Sequence, residues 1–411
     1  MTWSMRLKDL YFMVAALFIA VLAALLVLDR DDHISMITGR AFDNFFDFVA
    51  RTELISKTHL SSALLAHTVS AFLLISTGTI LWILFRPYKV PGNASRDDAK
   101  LKELLGHHST SSEDYFKFWP ADKNYFWQKD QAGFIAYKTV GPVIFALADP
   151  IAGSQSQLLK DFLMWTRAHR LKTCFLPVNE DGRRLYEKAG LELVQIGSSA
   201  IVNTQEFLLT TGNDKWWRWQ KNRAKKNNYN YVQSHPPHSA AFMKQLKTVS
   251  DAWLQAGGRK ERGFALGYFD EGYLQKCIIH SIKLDDGKTI AFTNQLPEFK
   301  PSSTATVDLL RYLPDANNAM PYLLYETIAT LAANEYEFFD LGFVPFAKAK
   351  GQLLTIAQAI SGGRFSSKGL EQFKNKFDPD WQPNYMAYER DVADFVLIAL
   401  NIERLFKPEI D

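Results

Sequence analysis

Cysteine is nearly absent: Cys174 and Cys277 are the only two in 411 residues, and they form no CxxC pair. That excludes a disulfide-stapled scaffold and a cysteine zinc site, and it fits a reducing compartment. A strong excess of one charge is also missing. Lys and Arg number 47 against 44 Asp and Glu, a net charge of +3, so any nucleic-acid or anionic-lipid site must be a local patch. Several catalytic signatures are lacking too: no GxSxG elbow, no GxxxxGK[ST] phosphate loop, no HExxH pair. Nor is there a Gln/Arg-x-x-Gly-x-Gly/Ala loop of the kind that cradles a coenzyme A pyrophosphate. What is present says folded: 47% hydrophobic and 14% aromatic residues, while 22% charge excludes a wholly membrane-embedded chain.

Two long apolar runs open the chain. Leu10 to Leu28 carries no charge, and in Ser61 to Phe85 the most polar residue is His67. Each is long enough to cross a hydrocarbon core of about 30 Å. An anchor over residues 1–90 with transmembrane helices at about 10–28 and 61–85 is therefore predicted. Arg6 and Lys8 precede the first run, and Arg86, Lys89, Arg96, Lys100 and Lys102 follow the second. The positive-inside bias places both termini in the cytoplasm.

After a polar linker at 91–112 the pattern alternates in an α/β manner. Strands are predicted at 133–137, 143–147, 173–178, 194–201 and 206–209, with helices at 158–169 and 181–189. After Gly212 the order begins again: a cationic helix at 214–228, a helix at 240–256, and strands near 276–283 and 290–296. The economical reading is two α/β domains of similar design, 113–212 and 213–411.

Thr306 to Ala347 is the most informative stretch. Val307 to Leu313 reads as a strand, Pro321 suits the first position of a helix, and Leu324, Ile328 and Leu331 recur at i, i+4, i+7. Phe338 to Leu341 reads as a second strand, giving a βαβ unit with parallel strands. Asp308 and Arg311 stand inside the first strand, where unpaired buried charge is costly. They are either a structural ion pair or site residues. On a regular strand they face opposite sides, so they share a site only at a bulge or a strand end.

Two basic, aromatic stretches stand out. KWWRWQKNRAKK at 215–226 holds Lys215, Arg218, Lys221, Arg223, Lys225 and Lys226 beside Trp216, Trp217 and Trp219, with Asp214 placed as N-cap. It is either a solvated helix anchored by its tryptophans or a phosphate-binding helix. Near the C-terminus, Lys374 and Lys376 share a face if their segment is extended and do not if it is helical.

Five motifs in order carry a resemblance: Ala121 to Trp127 (ADKNYFW), Ala146 to Gly153 (ALADPIAG), Asp308-Leu-Leu-Arg311, Phe339 to Pro345 (FDLGFVP), and Gly369 to Tyr388 with its Lys-x-Lys-Phe-x-Pro-x-Trp core. Together they make residues from about Asp114 to Glu389 similar to the catalytic region of the bacterial phosphatidylglycerol aminoacyltransferases, the multiple-peptide-resistance-factor family. The chain departs from that family in having two apolar spans rather than many, in Ser198-Ser199 where an acidic pair is expected near Ile196-Gly197, and in Met320-Pro321 where Met-Asp is expected. The resemblance implies tandem acetyltransferase-like (GNAT) domains and transfer of an aminoacyl group from aminoacyl-tRNA to the glycerol hydroxyl of phosphatidylglycerol. That product makes the membrane less anionic and protects against cationic antimicrobial peptides. No cofactor is implied beyond the tRNA co-substrate, and the catalytic part would lie on the cytoplasmic side of the inner membrane. By the same resemblance Asp308 and Arg311 would be catalytic, with Arg218, Lys221, Arg223, Lys225, Lys226, Lys374 and Lys376 binding substrate. Transfer to another lipid or to a peptidoglycan peptide, or a non-catalytic tethered binding module, are the alternatives.

Overall fold

The computed structural model describes residues 96–349, 368–389 and 392–408. Both predicted transmembrane helices lie outside the described residues, and among the described residues no helix is long and apolar enough to cross a membrane.

In chain order the first elements are α1 (Asp98–His108), α2 (Tyr115–Phe118), β1 (Asn124–Trp127), β2 (Gly133–Val140), β3 (Val143–Leu147), β4 (Ile151–Ala152), α3 (Gln155–Ala168), β5 (Lys172–Asn179), α4 (Arg183–Lys188), β6 (Glu192–Asn203), α5 (Thr204–Leu209) and α6 (Lys215–Lys226). Then come β7 (Asn230–Ser234), α7 (Ala240–Ala256), α8 (Glu271–Leu274), β8 (Ile278–Lys283), β9 (Thr289–Gln295), β10 (Thr304–Thr306), β11 (Arg311–Tyr312), α9 (Ala319–Ala333), β12 (Phe338–Pro345), α10 (Lys368–Lys374), β13 (Asp380–Tyr388) and α11 (Val392–Leu405).

Among the described residues the strands make two sheets. A nine-stranded sheet runs β1-β2-β3-β5-β13-β6-β12-β10 with β4 beside β2, and a four-stranded sheet runs β11-β9-β8-β7. The large sheet crosses the boundary expected at residue 212. β13, from the end of the chain, lies between β5 and β6, antiparallel to both, and β6 pairs antiparallel with β12. The physical reason is burial on both faces. Met386 and Tyr388 of β13 enter one core, while Ala387 enters another beneath α3 and α4. Residues 113–212 and 213–411 therefore share the large sheet, and the four-stranded sheet belongs to 213–411 alone.

Local chemistry explains most elements. α7 begins at Ser239, whose Oγ accepts the Phe242 amide at 3.2 Å, and it buries Phe242, Met243, Leu246 and Val249. α9 buries Leu323, Leu324, Ile328 and Leu331, and Pro321 sits in its first turn, where no N–H is needed. The strand expected at 206–209 is instead helix α5. Asn203 ends β6 and its Oδ1 accepts the Glu206 amide at 3.0 Å, so a cap starts a helix where apolar composition alone suggested a strand.

The sides of the sheets matter for the site. Ala305, Val307, Phe339 and Leu341 pack into the core under α9. By strand alternation Thr306 and Asp340 face the other way, toward the core shared by α1, α2, α7 and α8.

Candidate active site

β10 and β12 run parallel for three residues, with Thr306 opposite Asp340. Then they part. The Val307 amide still reaches the Asp340 carbonyl at 3.4 Å, but by Arg311 the chain has crossed to β9 of the other sheet. β12 meanwhile continues along β6 past a register shift between Asp340 and Phe343. Of the single strand predicted over Val307 to Leu313, only Arg311–Tyr312 is strand (β11), while Val307 makes an isolated bridge to Gln295 and the parallel strand β10 ends before it at Thr306. Its central turn is held by Asn294, whose carbonyl accepts from the Asp308 amide (3.1 Å) and whose Oδ1 accepts from the Leu309 amide (3.0 Å). With the strand broken, the opposite-face objection falls: Asp308 and Arg311 both turn toward the side bearing α7 and α8.

The fork left by the parting strands holds charge. Asp340 is 7% exposed, and its Oδ1 accepts the Gly342 amide at 2.7 Å. Gly342 has φ +88°, a conformation open to glycine, which brings its carbonyl round to Lys374. Lys374, 3% exposed, donates from Nζ to that carbonyl at 2.8 Å and to the Phe343 carbonyl at 3.5 Å. From the first half, the 3-10 turn Ser112–Asp114 closes over the fork, and Ser112 Oγ donates to Thr306 Oγ1 at 2.7 Å. That turn brings Glu113, half-buried, to the same place.

Electrostatics bind these groups into one unit. Enclosure by protein, then the nearby Asp340 and Asp114 carboxylates, push Glu113 up to about 8, against the pull of Lys117. Burial also raises Asp340, opposed by the Gly342 amide and Lys374. Burial lowers Lys374 to about 8, opposed by Asp340 and Glu113. Asp308 is raised to about 6 by burial, opposed by hydrogen bonds from the Tyr273 hydroxyl and the Gly267 amide and by Arg311. A carboxyl and an amine whose proton affinities converge near neutrality can exchange protons with a bound substrate.

Asp308 and Arg311 are not bonded to each other. Arg311 is 5% exposed and donates from Nη2 to Glu261 Oε2 at 2.7 Å, its guanidinium 4.2 Å from the Trp253 ring centre. Its Nη1 is buried without a partner among the described residues.

The cationic helix α6 is anchored by one tryptophan rather than three. Trp217 is 1% exposed, packs on Phe207, Tyr325 and Phe377, and donates from Nε1 to the Lys376 carbonyl at 3.1 Å. Asp214 occupies the N-cap position without a side-chain capping bond. Arg218, Arg223, Lys225 and Lys226 are exposed, and none has a carboxylate partner among the described residues. Lys221 is half-buried and donates to the Tyr325 hydroxyl at 3.0 Å. Lys376 joins this surface, its Nζ 4.2 Å from the Trp216 ring centre. The segment 368–377 is helical, so Lys374 and Lys376 part company, one to the fork and one to the helix.

The family model for the phosphatidylglycerol lysyltransferase C-terminal region matches residues 102–388. The chain belongs to that family. Within this phosphatidylglycerol lysyltransferase family, the chain is 28% identical over 346 residues to the Bacillus subtilis phosphatidylglycerol lysyltransferase, covering 81% of this chain and 40% of the relative. It is 27% identical over 329 residues to the Staphylococcus haemolyticus phosphatidylglycerol lysyltransferase, covering 77% and 38%. It thus spans about 40% of the length of the curated relatives it matches. Among solved structures it is similar to L-PGS from Bacillus licheniformis, at TM-score 0.66 and 27% identity over 77% of this chain and 99% of that one. It shares the fold of a C-terminal domain from Agrobacterium fabrum, at TM-score 0.67 and 24% identity over 76% and 97%.

The matched span contains every site residue named above, including four that the sequence reading did not single out: Glu113, Gly267, Tyr273 and Asp340. Asp340 had a usable signal, a carboxylate two residues before a glycine, although β12 runs on through Gly342 to Pro345 instead of ending there as the sequence suggests. The other three had none, because only folding brings them to the fork. Ser198 and Ser199, which replace expected acids, lie beside it. Ser198 Oγ donates to the Ala347 carbonyl at 3.0 Å, and Ser199 Oγ accepts from Asn384 Nδ2 at 2.8 Å.

Proposed function

We propose that this chain transfers an aminoacyl group from aminoacyl-tRNA to the glycerol hydroxyl of phosphatidylglycerol. In this reading a tandem acetyltransferase-like body sits on a two-helix anchor, facing the cytoplasm at the inner membrane. The observation that carries it is the fork where β10 and β12 separate, inside the matched residues 102–388, furnished with Asp308, Asp340 and Lys374. Exchanging one ester for another is nearly isoenergetic, so the enzyme needs mainly to juxtapose two substrates and steady an oxyanion.

Asp308 binds the ammonium group of the donor, its carboxylate aimed by Tyr273 and Gly267. Arg311 offers its unpartnered Nη1 to the lipid phosphate, while Glu261 holds the other end of the guanidinium. Lys374 neutralises charge in the fork. The exposed face of α6, with Lys376, receives the tRNA backbone.

The test is the lipid extract of a host expressing the full chain. A new ninhydrin-positive phospholipid with the mass of an aminoacyl-phosphatidylglycerol, abolished by ribonuclease in isolated membranes, is the expected result. No new lipid, or one that survives ribonuclease, overturns it. A cytoplasmic reporter fused after Asp411 should be active and a periplasmic one silent.

A further inference from the structure

We propose that Glu113 is the proton acceptor of the transfer, taking the hydrogen of the attacking hydroxyl and returning it to the leaving ribose oxygen. This rests on the ester exchange set out above, but it concerns a residue in a different half of the chain from Asp308 and Arg311.

The argument is one of commitment. Four carboxylates gather at or beside the fork, and three of them already accept hydrogen bonds. Asp114 accepts from the Thr110 amide at 2.9 Å and Ser109 Oγ at 3.0 Å, and it is ion-paired with Lys117. Asp308 accepts from the Gly267 amide at 3.1 Å and the Tyr273 hydroxyl at 2.8 Å. Asp340 accepts from the Gly342 amide at 2.7 Å and faces Lys374. The carboxyl of Glu113 has no hydrogen-bond or ion-pair partner among the described residues. A lone pair already holding a donor is a poor base, and a free one is available.

The amine is committed as well. Lys374 Nζ uses two of its hydrogens on backbone carbonyls, and the Asp340 charge beside it favours the ammonium against burial, so its part is to stabilise charge. Glu113 itself is fixed where it stands. Ser111 Oγ accepts its amide at 3.0 Å, Asp114 reaches back in a capping box, and Ser112 ties the same turn to Thr306. A tied-down backbone with one uncommitted, half-buried carboxyl beside Asp340 and Lys374 is the arrangement a general base requires. Its proton affinity, raised to about 8 by enclosure and by Asp340 and Asp114, allows both acceptance and release near neutral pH.

The step balances. The acceptor oxygen bonds to the ester carbonyl carbon as its proton passes to Glu113. The bond from that carbon to the ribose oxygen then breaks, and Glu113 returns the proton to that oxygen. No oxidant or further reactant is needed.

The test compares wild type, Glu113→Gln and Glu113→Asp in membranes, following two readouts over pH 6 to 9, a range chosen around the value of about 8. One is aminoacyl transfer to lipid, and the other is slow release of free amino acid from aminoacyl-tRNA without lipid, where water is the acceptor. Glu113→Gln should lower both by roughly 10²- to 10⁴-fold with unchanged donor KM and melting point, and remove the limb that rises with pH. Glu113→Asp should keep that limb at a lower rate. If wild type makes the lipid and Glu113→Gln matches it in rate and pH profile, the proposal falls and the function stands. If wild type makes no lipid but hydrolyses donor in a Glu113-dependent way, the lipid acceptor falls and the proposal stands. If wild type does neither, both fall. Should Glu113→Gln lower the melting point, a Glu113→Asp profile that has lost the limb overturns the proposal by itself.

Discussion

Tyr273 donates its hydroxyl to Asp308 Oδ2 across 2.8 Å, and itself accepts from Asn294 Nδ2 at 2.8 Å. Burial and the adjacent Asp308 carboxylate raise Tyr273 far above the usual phenol range, so it remains a donor. The relay runs from β9 through α8 to the crossover between the two sheets, and it aims Asp308.

Gly267 completes that aim, and its replacement should be costly. A Cβ at this position would lie 1.7 Å from Asp308 Oδ2 and 3.0 Å from the Tyr273 ring. Gly267→Ala should displace the carboxylate and lower lipid aminoacylation by roughly 10²-fold, a loss typical of an ångström-scale misplacement. Tyr273→Phe should cost about 1–3 kcal/mol of stability by taking a hydrogen bond from Asn294 Nδ2, which keeps only Cys277 Sγ, and from one Asp308 lone pair. Lipid product per unit of folded protein, with thermal melts alongside, checks both. Full activity in Gly267→Ala would remove Asp308 from the site.

Lys374→Met should reveal the coupling inside the fork. It strands the Gly342 carbonyl and leaves Asp340 without its counter-charge, so we expect a loss of about 3–5 kcal/mol and no lipid product. Adding Asp340→Asn should restore part of that stability but none of the activity. A double-mutant cycle that is additive within about 0.5 kcal/mol would mean the two residues act independently.

On α6, the exposed cations should act on binding alone. Changing Arg218, Lys225 and Lys226 to Ala should weaken tRNA binding and flatten the slope of log affinity against log salt by roughly 2–3, with stability moving by less than about 0.5 kcal/mol. Trp217→Ala, by contrast, should cost about 3–5 kcal/mol, because that ring is the buried anchor. A salt series with an unchanged slope would assign α6 to structure alone.

His280 should make the fold acid-sensitive. It is 0% exposed, its Nδ1 sits 2.7 Å from the Tyr231 hydroxyl, and burial lowers it from 6.5 to about 4. The folded state therefore resists a proton that the unfolded chain accepts. Stability from this group is complete above pH 6.5 and is lost as pH falls toward 4, by about 3 kcal/mol in all. Melting temperature followed from pH 7 to 4 should drop more steeply in wild type than in His280→Gln; parallel curves would mean His280 does not titrate on unfolding.

The sequence by itself determined the elements whose signal is local. The helix at Ala240–Ala256 follows from its apolar spacing and its Ser239 cap, and helix α9 and the strand at Phe338 follow from their apolar runs, whereas the parallel partner of β12 is Thr304–Thr306, just before the run predicted to supply it. It also picked out Asp308, Arg311 and the two lysines as charges needing a reason. Only the tertiary structure shows where they stand and which groups surround them. The insertion of β13 between β5 and β6 joins residues 179 to 214 positions apart, and no periodicity within either strand encodes it. The break between Thr306 and Arg311 depends on Asn294 of a neighbouring strand, so a run that reads as one strand becomes a crossover between two sheets. Glu113 reaches Asp340 and Lys374 because Ser112 meets Thr306 across 194 positions. Hydrophobic spacing acts over a few residues and is written along the chain. The charges of the fork converge through strand register and long-range hydrogen bonds, which exist only once the sheets have closed.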